Sequence, residues 1–144
     1  MIDIEKSIPH RPPFLFVDRI EKATKEGTIG FRTFTSERDE FFRGHFPGFP
    51  IVPGVILVET MAQCGGAGVK NLGIYPDGAL FFLAIVDRAK FRRQVRPGEE
   101  VRLEIENLKL TTKTMKQRGK AFVGDEVAAE AEWLCVIAEE GAGT

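Results

Sequence analysis

The spacing of apolar and polar residues changes several times along the chain, and each change marks an expected element. Residues 1 to 13 read as a lead-in that ends in the turn-like PHRPP. FLFVDRIEKAT follows, a strand by its β-branched and aromatic content, and Glu26-Gly27 suits a turn. TIGFRTFT alternates, with Ile29, Phe31 and Phe34 near one face, and reads as the hairpin partner. Ser36 to Glu40 is polar, and Phe41 and Phe42 lead into a loop. Over residues 41 to 72, FFRGHFPGFPIVPGVILVETMAQCGGAGVKNL, the alternation stops. Pro47, Pro50 and Pro53 each fix their own φ and push the preceding residue out of the helical region, so this loop is stiff. A helix is expected from about Gly54 to Leu72, with Pro53 where its first position would fall. Val55, Ile56, Leu57, Val58, Met61, Ala62, Cys64, Ala67 and Val69 cover all its sides, which marks a buried helix. Gly65, Gly66 and Gly68 each cost roughly 0.5–1 kcal/mol against alanine, a cost that close approach of another backbone would offset.

After the helix, GIYPDG is turn chemistry. ALFFLAIVDRAKF is a continuous apolar run that suits a central strand. Pro97-Gly98 turns into EEVRLEIENLKLTT, which alternates through Val101, Leu103, Ile105 and Leu108. TMKQRGKAFVGDEVAAEAEWLCVIAEE reads as two strands around a Gly124-Asp125 turn. EVAAEAEW is helical by propensity, but its alternation through Val127, Ala129, Ala131 and Trp133 favours a strand. The tail GAGT is expected to fray. The sum is α+β: two strands, a long buried helix, then about four antiparallel strands. A single flat sheet cannot cover a helix that is apolar all round. The sheet must curl around it, or a second subunit must help. That is a hot-dog arrangement, one domain over residues 1–144, with a two-layer sandwich as the less specific alternative.

Composition narrows the function classes. A chain of 144 residues with 43% hydrophobic and 28% charged residues is long enough for one real core. A net charge of −1 gives no global field for nucleic acid. Twelve Phe against one Tyr and one Trp suggest a dry interior or an apolar tunnel, although core packing alone would also use them. Cys64 and Cys135 sit in apolar runs, as reduced core thiols of a cytosolic protein do. The start, MIDIEKSIPHRPPF, is charged and proline-bearing, unlike a signal peptide, so a cytoplasmic location is expected. Glu59, Gln63 and the glycines argue against a membrane-spanning helix. The scattered histidines and cysteines form no metal-ligand pattern, and no phosphate loop is present, so no cofactor is expected.

Two residues stand out chemically. Glu59 lies in the second turn of the helix among Leu57, Val58 and Met61. A carboxyl group there must be paired or hydrogen-bonded, unless it marks one wet edge of the helix. His45 is held by the stiff loop beside the helix N-terminus, and the two together point to a site. Gln63, one turn on from Glu59, is spaced to hydrogen-bond it, though a polar residue at a subunit seam would look the same. Arg88, Lys90, Arg92, Arg93 and Arg96 put five cations in nine residues. Of these, Arg88, Lys90 and Arg92 would share one face of an extended strand, as a docking patch for an acidic partner or simply a solvated face. His10, between Pro9 and Pro12, reads as part of a structural turn and is assigned no chemistry.

PHRPPFLFVDRI, GHFPGFPIVPGVILVETMAQ, DRAKFRRQVRPGEEVRLEI and GKAFVGDEVAAEAEW resemble, in the same order, the sequence blocks of the FabZ-type (3R)-hydroxyacyl-acyl-carrier-protein dehydratases of bacterial fatty-acid synthesis. The resemblance covers about residues 8 to 135. It implies a hot-dog fold, homodimers joined edge to edge (often as trimers of dimers), and active sites shared across the dimer interface. The loop histidine and the helix glutamate of the family, contributed by different subunits, map onto His45 and Glu59. The sister type that also isomerises the double bond carries Asp at the helix position and is usually longer, so Glu59 favours simple dehydration. Val52, Thr60, Cys64, Phe49 and Ala84 depart from residues common in the family and bear on chain-length preference rather than on the reaction.

Dehydrating a 3-hydroxyacyl thioester needs a base at C2, an acid for the departing hydroxyl, and a donor to the thioester oxygen. His45 suits the base, since imidazole titrates near working pH. Glu59 is then the acid, and the Gly54 N–H at the helix start is the oxyanion donor. His45 acting alone, with Glu59 only orienting the hydroxyl, stays open. The implied partner is acyl carrier protein, which brings the substrate on its phosphopantetheine arm. Two other readings share the fold: an acyl-thioester hydrolase, which needs an activated water at the carbonyl carbon, and a non-catalytic acyl-binding module. A related dehydration in a specialised polyketide pathway remains a further alternative.

Overall fold

The computed structural model describes residues 2–139, so the GAGT tail lies outside the described residues. A short helix, α1 (Ile4–Ser7), opens the lead-in; Asp3 caps it by accepting from the Lys6 amide. Strand β1 spans only Arg19–Ala23, and β2 spans Gly27–Thr33. A 3-10 turn at Glu40–Arg43 precedes the proline loop. Helix α2 covers Gly54–Lys70, with Pro53 at the N-cap rather than in the first turn. Strands β3 (Ala79–Phe91), β4 (Glu100–Leu110), β5 (Thr114–Val123) and β6 (Glu126–Glu139) follow. They form one antiparallel six-stranded sheet in the order β1-β2-β4-β5-β6-β3. Helix α2 touches every strand, because the sheet curls around it: this is the hot-dog fold. EVAAEAEW is strand, as its alternation favoured over its helix propensity.

Three sequence expectations change. Strand β3 is an edge strand, not a central one: among the described residues it pairs only with β6. Its apolar run is therefore open, with Phe82, Leu83, Ile85, Val86 and Phe91 exposed. Strand β2 turns Thr28, Gly30 and Arg32 inward, leaving Ile29 and Phe31 only half-buried. The reason is the closeness of α2. A Cβ on Gly68 would strike the Thr28 side chain, and one on Gly30 would lie 2.6 Å from Cys64 Sγ. Only small residues fit at Thr28 and Gly30, whereas Arg32 turns inward to pair with Asp18 and Asp39. The helix glycines thus meet side chains, not another backbone: Gly68 faces Thr28, Gly65 faces Gln117 and Gly66 faces Phe81. The third change is local. A register shift between Asn107 and Lys109 breaks the β4 alternation and leaves Leu108 at 36% exposure.

The core between helix and sheet is built from Phe16, Phe34, Met61, Leu103, Met115 and Trp133, all fully buried. Val55, in the first turn of α2, is 74% exposed, so the helix is not covered at its start. That open end is where the candidate site begins.

Candidate active site

The loop that carries His45 is fixed from both ends. Upstream, the buried Asp39 carboxylate accepts from Arg32 at 2.7 Å and from the Thr35 amide at 2.9 Å. Arg32 also pairs with Asp18 at 3.1 Å. This network sets the start of the 3-10 turn, whose Phe41 carbonyl accepts from the amides of both Gly44 and His45. Downstream, the Ile51 amide donates to the His45 carbonyl at 3.0 Å. Val52 then joins the loop to the core by donating to the Val95 carbonyl at 2.8 Å.

The His45 ring is oriented by the same segment. Its Nδ1 lies 3.2 Å from the Ile51 carbonyl oxygen, which can only accept. Nδ1 therefore carries the hydrogen, and Nε2 keeps its lone pair. Phe46 stacks on the ring at 4.2 Å between centroids. His45 opens into a cavity of about 460 Å³ whose walls include Val52, Gly54 and Phe91. Among the described residues no side chain caps the N-terminus of α2, so its first amides remain free for a ligand oxygen. Gly54 lies close under the Phe91 ring: an added Cβ would lie 2.8 Å from it, so the exposed ring would have to move.

Glu59 does not share that cavity. It lines a second one, of about 250 Å³, with His10, Phe14, Gln63, Gly66, Phe81 and Cys135 among its walls. Within one chain, His45 and Glu59 are therefore not brought together. Gln63 makes the contact its spacing suggested, donating from Nε2 to Glu59 Oε2 at 2.8 Å. It also reaches the chain's beginning, donating to the Phe14 carbonyl at 2.9 Å and accepting from the Phe16 amide at 2.8 Å.

His10 is the residue the sequence reading missed. Its Nε2 lies 3.5 Å from Glu59 Oε2. Burial pulls its imidazole below the ordinary range; the Glu59 carboxylate opposes that shift and Arg11 adds to it. A signal was available: both histidines of the chain sit in stiff, proline-flanked segments. Cys64 and Cys135 are free thiols, each pushed up to about 12 by burial, with Glu59 adding to the shift of Cys135.

The basic stretch is less free than its sequence suggested. Arg88 adopts a left-handed φ of 52° at a bulge between Asp87 and Lys90, so the simple alternation of faces is broken. Arg88 pairs with Glu132, Arg92 with Glu130 and Arg93 with Glu99, at 3.3, 3.2 and 2.7 Å. Lys90 and Arg96 have no carboxylate partner among the described residues, and Arg96 lies over the Phe49 ring. A wider depression of about 480 Å³ lies elsewhere, between Lys22, Glu26, Glu104 and Arg118. It holds no histidine or thiol. Among the described residues no cluster could hold a metal ion, and no helix is long and apolar enough to cross a membrane.

Comparison with known proteins agrees with this architecture. Residues 8–132 match the family described as the FabA-like domain. The chain is 46% identical to the 3-hydroxyacyl-[acyl-carrier-protein] dehydratase FabZ of Pelotomaculum thermopropionicum, covering 93% of this chain and 95% of that one. It is 43% identical to the FabZ of Desulforamulus reducens, covering 95% and 96%. Among solved structures, the dehydratase heterocomplex ApeI:P from Xenorhabdus doucetiae shares the fold with a TM-score of 0.83 at 15% identity, over 97% of this chain and 93% of that one. A hypothetical thioesterase with coenzyme A from Streptococcus pneumoniae shares it at 0.64 and 11%, over 84% and 85%. At such identities the likeness speaks to fold alone. The family match and the near full-length relatives together place the chain in the FabA-like family, as a hot-dog dehydratase of the FabZ type.

Proposed function

We propose that the chain, as a single cytoplasmic domain, dehydrates (3R)-hydroxyacyl-acyl-carrier-protein to the trans-2-enoyl thioester in type II fatty-acid synthesis. Its FabZ relatives support the reaction class. The observation that carries the residue assignment is the commitment of His45 Nδ1 to the Ile51 carbonyl. It leaves the Nε2 lone pair in a cavity that also holds the free N-terminus of α2. In this reading His45 Nε2 takes the proton from C2, and the Gly54 N–H receives the charge that develops on the thioester oxygen. The C3–O bond breaks as Glu59 gives its proton to the hydroxyl, which leaves as water. The proton on His45 then returns to solvent, and Glu59 regains one from it. No metal or organic cofactor is assigned a step.

In this reading a second copy completes the site, which the placement of His45 and Glu59 in different cavities of one chain supports. The open apolar edge of β3 is the surface for it, as a homodimer or a trimer of dimers. Lys90 and Arg96 are the cations left to meet an acidic carrier protein, with Arg88, Arg92 and Arg93 largely answered by the chain's own carboxylates.

The deciding experiment follows hydration of crotonyl-acyl-carrier-protein, the reverse reaction, by loss of enoyl absorbance, with free thiol measured alongside. Wild type should hydrate, and His45→Ala and Glu59→Gln should each lose roughly a hundredfold or more in kcat. Release of thiol instead of hydration would make the chain a thioesterase.

A further inference from the structure

Building on the dehydratase reading, we propose that His10 is a positioning residue for Glu59: its Nε2, 3.5 Å from Glu59 Oε2, and the Gln63 amide, 2.8 Å from the same oxygen, hold that oxygen fixed and leave Oε1 for the reacting hydroxyl.

The argument begins with the far side of the ring. His10 Nδ1 is buried and, among the described residues, has no hydrogen-bond partner. A hydrogen placed there would be an unpaired donor cut off from water, which is costly. The neutral ring therefore keeps its hydrogen on Nε2, the nitrogen that faces the carboxylate. The other groups around it do not compete. Arg11, beside it in sequence, turns its guanidinium onto the carbonyls of Ile8, His10 and Glu5 and onto the Glu5 side chain. Cys135, the titratable group that β6 contributes to the cavity, stays a neutral thiol. The β3 wall supplies Ala79, Phe81, Phe82 and Leu83, none charged. Glu59 thus supplies the carboxyl group that His10 meets in the cavity.

Neutrality suits the task. A permanently protonated imidazole would hold Glu59 as a carboxylate and oppose its use as an acid. Burial keeps the ring below the ordinary imidazole range. At neutral pH His10 then orients the carboxyl group without trapping it in an ion pair. Its own placement is built in: Phe14 donates to the Arg11 carbonyl at 2.8 Å to close the turn over Pro12-Pro13. Gln63 ties Phe14 and Phe16 to α2, so one amide side chain holds both the histidine's segment and the glutamate.

The test compares wild type, His10→Phe, His10→Gln and Glu59→Gln. In crotonyl-acyl-carrier-protein hydration, His10→Phe should lower kcat by about tenfold with KM within about twofold, and His10→Gln, which keeps a donor, should recover most of the loss. Separately, the chain has two histidines, so histidine-labelled protein gives two imidazole signals by NMR, and His10→Gln identifies which is which. His10 should titrate below the ordinary range, and its titration should change in Glu59→Gln, where the carboxyl group it faces is replaced. An unchanged His10 titration in Glu59→Gln overturns the contact. A wild-type kcat in His10→Phe, or equal loss in His10→Phe and His10→Gln, overturns the positioning role. Wild type that hydrates nothing overturns the dehydratase reading and the role with it, even where the titration shows the contact.

Discussion

Gln63 satisfies three partners with one side chain, which defines what its loss should do. In Gln63→Leu the buried Phe16 amide and the Phe14 carbonyl lose their partner, at about 1–3 kcal/mol each. A destabilisation of about 2–4 kcal/mol in urea unfolding is expected, well above the fraction of a kcal/mol usual for a surface change. The His10 imidazole gives a pH signature. Its folded pKa lies below the ordinary 6.5, so the unfolded chain binds the extra proton first. Stability should be full above about 6.5 and fall as the pH drops through the lower folded value. His10→Gln should flatten that part of the stability curve in denaturant titrations run from pH 8 to 5. Sequence spacing made the Gln63–Glu59 contact legible, because i and i+4 are neighbours on any helix. It could not show His10, because a contact between residues 10 and 59 depends on where the lead-in segment folds back.

Among the elements, α2 and β2 show how packing overrides propensity. Helix propensity alone says that Gly68→Ala should stabilise by about 0.5–1 kcal/mol. The new Cβ, however, would collide with the fully buried Thr28 side chain. Overpacking at such a site costs about 1–3 kcal/mol, so net destabilisation is expected. Gly78→Ala is the control: its Cβ meets nothing within 4 Å, and the change should stay within about 0.5 kcal/mol by thermal melting. The helix, its start near Gly54 and the strand sequence that follows were all legible from periodicity and turn residues. The phase of β2 was not. Its inward face carries Thr28 and Gly30, where the helix comes too close for large side chains, and Arg32, held by Asp18 and Asp39, so apolar counting selects the wrong side.

Across the whole molecule, β3 matters most. A thirteen-residue stretch whose first eight residues are apolar on both faces reads as a central strand, yet in one chain it ends the sheet. Pairing with a second β3 would make the sequence reading true of a dimer rather than of the monomer. Ile85→Lys, on that edge, should shift the molar mass measured by light scattering toward the monomer and lower activity with it. Mixing His45→Ala with Glu59→Gln subunits should restore about a quarter of wild-type activity, since half the dimers would be mixed and each would hold one intact site. No recovery, with subunit exchange confirmed, would place both residues in one subunit's site.

Trp133 lies on β6 at 1% exposure, with its indole N–H donating to Gln117 Oε1 at 3.0 Å. It is the chain's one tryptophan, and it is absent from the walls of the cavities that hold His45 and Glu59. The protein therefore carries its own fluorophore, placed in the heart of the sheet and away from the chemistry. Its emission should be blue-shifted in the native state and insensitive to acyl chains entering the cavities, moving to the red only when the sheet comes apart. Folding can thus be followed while acyl ligands are present, without attaching a dye and without the ligand disturbing the signal.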